Sequence, residues 1–395
     1  MQKQIINQLS QKYFNEILTW RKHIHANPEL SFKEFETSEF IQNILKEKNI
    51  EYKANIAGTG VLATIKGKKA KTKVIALRAD IDALPIIEEN NVEYCSKNYG
   101  VMHACGHDVH TACLLGAAYI LKDLVDEYGG TVQLIFQPGE EKSPGGASLM
   151  IADGVLENPK PENIIALHVA PDMEVGNVGF YAGKYMASAD EIYITIKGKG
   201  GHAAAPHTCI DPIIISANLI VSLQQIISRH CPPLIPSVLT FGKIQGGNAC
   251  NVIPDEVKIE GTFRSMDETW RKQALHLIVK QTQLLCESMG AIAEINIPSG
   301  YPCLNNDILL TEEVSCYAKK YLGDQKVQNL IPRMSSEDFA FYSLQIPACF
   351  YRLGVANNAK NINSPVHTST FNIDEKALEI GSGLMAYIAL QLLND

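Results

Sequence analysis

The chain of 395 residues contains no Cys-x-x-Cys pair, no internal repeat and no low-complexity tract. Its ten cysteines are scattered without a pairing pattern, which at this length reads as reduced thiols and not as a disulfide framework. There is no excess of positive charge. Lys and Arg number 35 against 43 Asp and Glu, a net charge of −8, and the acidic groups are spread along the sequence. Phosphate binding needs a clustered basic surface, so nucleic acid is excluded as a partner. No apolar run approaches the ~20 residues that span a bilayer, and Met1–Gln8 lacks the apolar centre of a signal peptide. The expectation is a cytoplasmic protein with no membrane contact.

What is present is an ordinary globular composition, 46% apolar and 20% charged, in a chain longer than one hydrophobic core usually serves. Two domains are expected. Residues 3–26 carry apolar positions at helical spacing (Ile6, Leu9, Tyr13, Ile17, Trp20, Ile24) and stop before Pro28. His23 and His25 near that end read as structural, because positions i and i+2 do not share a helix face. A second helix is expected over 35–49. Buried strands are read over 73–79, 131–136 and 163–167, and a helix over 111–124. Each strand delivers ionisable groups just past its end: Asp80 and Asp82, then Glu140 and Glu141, then His168. That is where sites form in open α/β sheets.

From about Met186 the pattern changes to strand 191–197, helix 211–229, strands 237–244 and 255–265, helix 267–289 and strand 291–297. The order βαββαβ is that of a ferredoxin-like unit. The fold class is therefore α/β. A catalytic domain with a mixed, mainly parallel sheet flanked by helices (1–185 and 299–395) carries an inserted α+β lid domain (186–298). The first domain resumes with a helix over 307–322, a capping box formed by Ser335 and Asp338, a strand over 348–353 and a helix over 374–393. That box gives Glu337 and Asp338 a structural reading.

The chemistry concentrates in Met102-His103-Ala104-Cys105-Gly106-His107-Asp108-Val109-His110. One thiol and three imidazoles surround a glycine that can turn tightly, so Cys105 and His107 could meet at one cation, such as zinc, manganese, cobalt or nickel. The alternative to this metal reading is a helix start with a buried free cysteine and solvated histidines. Glu140 with Glu141 reads by itself as a solvated loop, and His367 as an exposed loop histidine.

Six runs together resemble a known family: Leu77–Pro85, Met102–His110, Gln137–Glu141, Gly200–His207, Asn251–Pro254 and Ser336–Phe339. It is the metal-dependent amidohydrolases that include hippurate hydrolase, the auxin-conjugate (indole-3-acetyl-amino acid) hydrolases and N-acetyl-diaminopimelate deacetylase, within the aminoacylase and metallocarboxypeptidase superfamily. The resemblance implies two divalent cations, Mn2+ or Zn2+ with Ni2+ or Co2+ as alternatives, held by Cys105, His107, Glu141, His168 and His367. It implies Glu140 as general base, Asp80 as a carboxylate that orients a ligand, and His202 as oxyanion donor, in its own site or a neighbouring subunit's. Asn251 and Arg264 would read the substrate's carboxylate. The lid would form a homodimer contact.

The chain departs from the broader pattern at Arg78, where the superfamily has a metal-binding histidine, and at Gly139, where closer relatives carry alanine. The reaction so implied is hydrolysis of the amide bond of a small N-acyl amino acid to a carboxylate and a free amino acid. The alternatives are a dipeptidase or aminopeptidase of the same superfamily, a cysteine hydrolase using Cys105, and a non-catalytic scaffold.

Overall fold

A computed structural model describes residues 2–394. The chain divides into two compact units, Met1–Gly183 with Asn305–Ile331 and Asp338–Asp395, and Lys184–Leu304 with Pro332–Glu337. Residues 299–304 and 332–337, which the sequence boundaries put in the catalytic domain, cluster with the inserted unit.

The first unit is built on an eight-stranded mixed sheet. Its order is Glu51–Ile56, Gly60–Lys66, Gly129–Gln137, Lys69–Asp80, Asn163–Glu174, Ala348–Ala356, Val178–Phe180, Val327–Asn329. The four central strands from Gly129–Gln137 to Ala348–Ala356 run parallel. They are buried almost throughout, as Val74-Ile75-Ala76-Leu77 illustrates, and such strands need cover on both faces. The helices Gln2–Ala26, His107–Asp123 and Lys376–Asn394 pack against one another, and the last two lie directly on the central strands. Strand order places Asp80, Gln137 and His168 on three adjacent parallel strands.

Three details differ from the sequence reading. The helix expected from Thr111 begins at His107, because Gly106 adopts φ +85 and its carbonyl accepts from the amides of Val109 and His110. The strand carrying His168 runs on to Glu174, so His168 stands mid-strand, paired in register with Arg352. Ser335 and Asp338 form no capping box. The short helix Ala340–Ser343 has Phe339 at its cap with no side-chain bond, and the Asp338 carboxylate instead accepts from Arg78, Gln137 and the Ala147 amide. A buried guanidinium outbids a helix cap because leaving it unpaired costs about 3–5 kcal/mol against about 1 for the cap.

The second unit has a four-stranded antiparallel sheet ordered Ser237–Gln245, Glu256–Ser265, Asp190–Lys197, Ile292–Asn296, with helices Pro212–Gln225 and Glu268–Ser288. This is the ferredoxin-like order expected from βαββαβ. Asp211 and Asp267 cap the two helices, and Arg271 grips Asp190 through Nε at 2.7 Å and Nη2 at 2.6 Å. A ribbon of Gly201–His202 with Val252–Ile253 was not legible in the sequence.

By length and composition alone two helices are long and apolar enough to cross a membrane, Pro212–His230 and Lys376–Asn394. The second is largely buried inside its own unit, and the first turns Ile215, Leu219 and Leu223 into the core of its unit.

Candidate metal centre

Each candidate ligand is delivered by a distinct local device. Cys105 and His107 flank Gly106, whose positive φ and contact with Val169, 2.6 Å from where a Cβ would stand, leave room for glycine only. Glu140 and Glu141 follow the strand Gly129–Gln137 after Pro138 and Gly139. His168 projects from the middle of its strand. His367 is held at φ +63 by its own amide, which donates to the Ala104 carbonyl at 2.7 Å.

The structure brings these five together. Donor atoms of Cys105, His107 and His168 lie within 4.8 Å of one another, as do those of Cys105, Glu141 and His367, and those of His107, Glu140 and Glu141. Cys105 Sγ is 3.5 Å from His168 Nε2, and His367 Nε2 is 3.2 Å from Glu141 Oε1. His107 Nε2 stands 3.7 Å from Asp80 Oδ2, 3.9 Å from Glu141 Oε1 and 4.0 Å from Glu140 Oε2. Those last three exceed ordinary hydrogen bonds. They are close to the roughly 3.3–3.8 Å between ligands that share one cation at 2.0–2.3 Å.

The imidazoles are set as ligands. His107 donates through Nδ1 to the main-chain carbonyl of Asp82 at 2.9 Å and faces Asp82 Oδ1 at 3.1 Å, so Nε2 is the nitrogen that gives up its proton when a cation binds. That nitrogen is buried and has no hydrogen-bond partner. His168 donates Nδ1 to the Val169 carbonyl at 2.8 Å, which turns its Nε2 lone pair towards Cys105. Fixing the far nitrogen in this way selects the metal-binding tautomer. A set of thiol, imidazole and carboxylate donors, buried at Cys105, His107 and His168 and open to solvent at His367, fits a divalent cation of the zinc or manganese kind.

Electrostatics point the same way. Burial opposes a charge on His107, but the Asp80 carboxylate and the Cys105 thiol outweigh it and hold the imidazole well above its ordinary range. His168 is pushed well below, by burial and by Arg352. Burial and Glu141 push the Cys105 thiol up. A concentration of negative donors that stabilises a proton on His107 would equally stabilise a cation.

Asp80 meets the ligand set at longer range, its Oδ2 standing 3.7 Å from His107 Nε2. Its Oδ1 faces His110 Nδ1 at 2.5 Å and its Oδ2 accepts from Arg78 at 2.6 Å. His110 in turn accepts the Val169 amide at Nε2, so both its nitrogens are engaged. The carboxylate behind His107 is Asp82, which sequence reasoning left unassigned. The signal available was the second aspartate of Asp80-Ile81-Asp82, two residues on and therefore on the same side of an extended chain. Arg78 extends the frame. It is wholly buried and donates to Asp80, to Gln137 at 2.9 Å and to Asp338 at 2.8 Å.

Neither helix histidine joins the metal groups. His23 stacks on Phe40 at 4.0 Å, and His25 is buried between Asp108 at 2.7 Å and Glu88 at 3.0 Å.

In the inserted unit, His202 is exposed on the short ribbon and accepts the Ala204 amide at 3.0 Å. Asn251 is exposed one residue before the ribbon's other strand. Arg264 lies elsewhere, on Glu256–Ser265, half-buried and donating to the Met334 carbonyl at 3.2 Å and to Ser336 at 3.4 Å.

Compared with known proteins, residues 76–391 match the sequence profile of peptidase family M20/M25/M40. The chain is 43% identical over 380 residues to N-acetyl-L-cysteine deacetylase of Bacillus subtilis (strain 168), covering 96% of this chain and 89% of that one. It is 42% identical to the N-acyl-L-amino acid amidohydrolase of Geobacillus stearothermophilus, over 78% of this chain and 82% of the relative. Among solved structures, the YXEP protein of Bacillus subtilis, a dinuclear metal-binding peptidase of family M20, superposes with a TM-score of 0.81 at 35% identity, over 97% of this chain and 99% of that one.

Proposed function

The chain belongs to peptidase family M20/M25/M40, and from that premise we propose a metal-dependent amidohydrolase that cleaves small N-acyl amino acids to a carboxylate and a free amino acid. The relatives named for N-acyl amino acids support this reading over a dipeptidase or aminopeptidase. The observation that carries it is the buried, partnerless Nε2 of His107 set among Asp80, Glu140 and Glu141.

Cys105, His107, Glu141, His168 and His367 would hold two divalent cations, for which we propose Mn2+ or Zn2+. When bound, such cations supply Lewis-acid polarisation of the scissile carbonyl and acidify a water, whose pKa falls from about 15.7 towards 7. Glu140 takes the proton from the attacking water and returns it to the leaving nitrogen. It suits that task because it neighbours the ligand Glu141 in sequence and stays 4.0 Å from His107 Nε2. Asp80, through His110 and Arg78, fixes the floor beneath these groups.

From the inserted unit we assign His202 to the developing oxyanion, and Asn251 with Arg264 to the substrate's carboxylate, which Arg264 could grip bidentately. We assign the same unit the contact of a homodimer, and the protein to the cytoplasm, in keeping with its ten unpaired thiols.

The test is a substrate panel. Protein stripped by a chelator and reloaded with Mn2+ or Zn2+ is offered N-acetyl, N-benzoyl and indole-acetyl amino acids beside dipeptides with a free amine. Metal-restored hydrolysis of the N-acyl compounds is expected. Turnover confined to the free-amine dipeptides would replace this reading with the peptidase one.

A further inference from the structure

Glu34 occupies the cap position of the helix Phe35–Glu47, yet its carboxylate makes no capping bond. Glu29 does that work, accepting from the amides of Glu36 at 3.2 Å and Thr37 at 2.8 Å and from the Thr37 hydroxyl at 2.9 Å. The Glu34 side chain is wholly buried and turned elsewhere. Its Oε1 accepts from the amides of Gly139 at 2.9 Å and Phe32 at 2.8 Å, and its Oε2 from the Thr59 hydroxyl at 2.7 Å. A carboxylate taken out of water costs far more than a cap returns, so the helix does not account for it.

Gly139 is the residue before Glu140. It sits at φ +59, and the Phe32 ring lies over it, 2.3 Å from where a Cβ would stand. On the other side of Glu140, the Glu141 amide donates to Asp82 Oδ2 at 3.0 Å, and the same oxygen accepts from Ser31 at 2.6 Å. The segment Ser31–Glu34 thus bears on the chain on both sides of Glu140, directly at the Gly139 amide and through Asp82 at the Glu141 amide. It also lies outside residues 76–391, the stretch matched to the family profile.

We infer that Glu34 is a positioning residue for the hydrolytic step: by fixing the Gly139 amide it sets the direction in which Glu140 presents its carboxylate. The inference rests on Glu140 acting as the base. Its magnitude follows from orientation, since displacing a reacting group by about 1 Å can cost about a hundredfold in rate.

The experiment compares Glu34→Ala and Glu34→Gln in the full, metal-loaded chain. Gln keeps a carbonyl oxygen for the Gly139 amide and can donate to the Thr59 oxygen, so it should rescue. The expected result is a kcat lower by tenfold or more in Glu34→Ala, with KM within twofold and metal content unchanged, and a kcat within threefold of the parent in Glu34→Gln. A parental kcat per metal-loaded molecule in Glu34→Ala overturns the inference, as does a loss that lies wholly in metal content. If Glu34→Ala does not fold, Thr59→Val removes one donor at little change of shape. A threefold or larger fall in its kcat, restored by Thr59→Ser, supports the inference, and an unchanged kcat overturns it. A parent inert towards N-acyl amino acids would sink the proposed substrate class. The variant-to-parent ratio on whichever amide the enzyme does cleave still judges Glu34. A protein that cleaves no amide has no hydrolytic step to position, and that outcome overturns the inference together with the proposed function.

Discussion

Asp82 and His107 meet twice. The ring Nδ1 lies 2.9 Å from the aspartate's main-chain carbonyl and 3.1 Å from its carboxylate, while the second carboxylate oxygen accepts the Glu141 amide. One side chain therefore aims two candidate ligands that stand 34 positions apart in sequence. Asn at this position offers a single acceptor oxygen where three donors now converge, from His107, Ser31 and Glu141. Partners behind metal ligands typically matter by about 10–100-fold in affinity. Asp82→Asn should weaken metal binding by that factor, read by chelator competition, and parental affinity would refute the role.

Glu140 gives a prediction of opposite character. Glu140→Gln keeps volume and shape but cannot accept a proton, so general-base catalysis worth about 10²–10⁴-fold should disappear from kcat. Because Glu141 and the other proposed ligands are untouched, metal content should stay at the parental value. A variant that turns over normally with its metal in place removes Glu140 from the mechanism.

A third prediction concerns acid stability, away from the metal ligands. Glu88 is brought down to about 2, against the burial that would raise it, chiefly by its hydrogen bond and charge interaction with His25. Its folded pKa lies below the ordinary 4.5, so its contribution to stability is complete above about pH 4.5 and is lost as pH falls through about 2. His25 runs the other way. Burial and Arg21 lower it, but Asp108 and Glu88 prevail and raise it, so its share is complete below its ordinary 6.5 and fades as pH rises through the folded value. In urea titrations of metal-free protein, the gap between the parent and Glu88→Gln should be widest above pH 4.5 and narrow towards pH 2. A gap that does not change with pH would contradict the assignment.

The alternating apolar and turn-rich segments announced both units, because strand and helix periods are local properties of the chain. The ionisable groups at strand ends were legible for the same reason, since an open parallel sheet gathers its carboxyl ends. Long-range pairing was not legible. Arg78 looked like a vacancy where a metal-binding histidine might stand, yet it is a buried hub joining Asp80, Gln137 and Asp338 over 260 positions of sequence. Asp338, with Ser335 three residues earlier, matched a capping box, and only the fold shows that a guanidinium claims it. Nor does any local pattern around Glu34 announce its bond to the Gly139 amide, 105 positions away.

His367 is the one proposed ligand held at positive φ, +63, a conformation only a few per cent of non-glycine residues adopt. Such strain costs of order 1 kcal/mol and persists where surrounding structure enforces it, here the 2.7 Å bond from its amide to the Ala104 carbonyl. His367→Gly relieves that strain but also loosens the unfolded chain, two effects of similar size and opposite sign. The metal-free variant should therefore unfold within about 1 kcal/mol of the parent. The loaded states should differ sharply, because a ligand that binds only the native state raises stability by about 2.7 kcal/mol at a hundred times its dissociation constant. Glycine at 367 should abolish most of the metal-induced rise in Tm. A variant whose Tm rises with Mn2+ or Zn2+ as the parent's does would remove His367 from the ligand set.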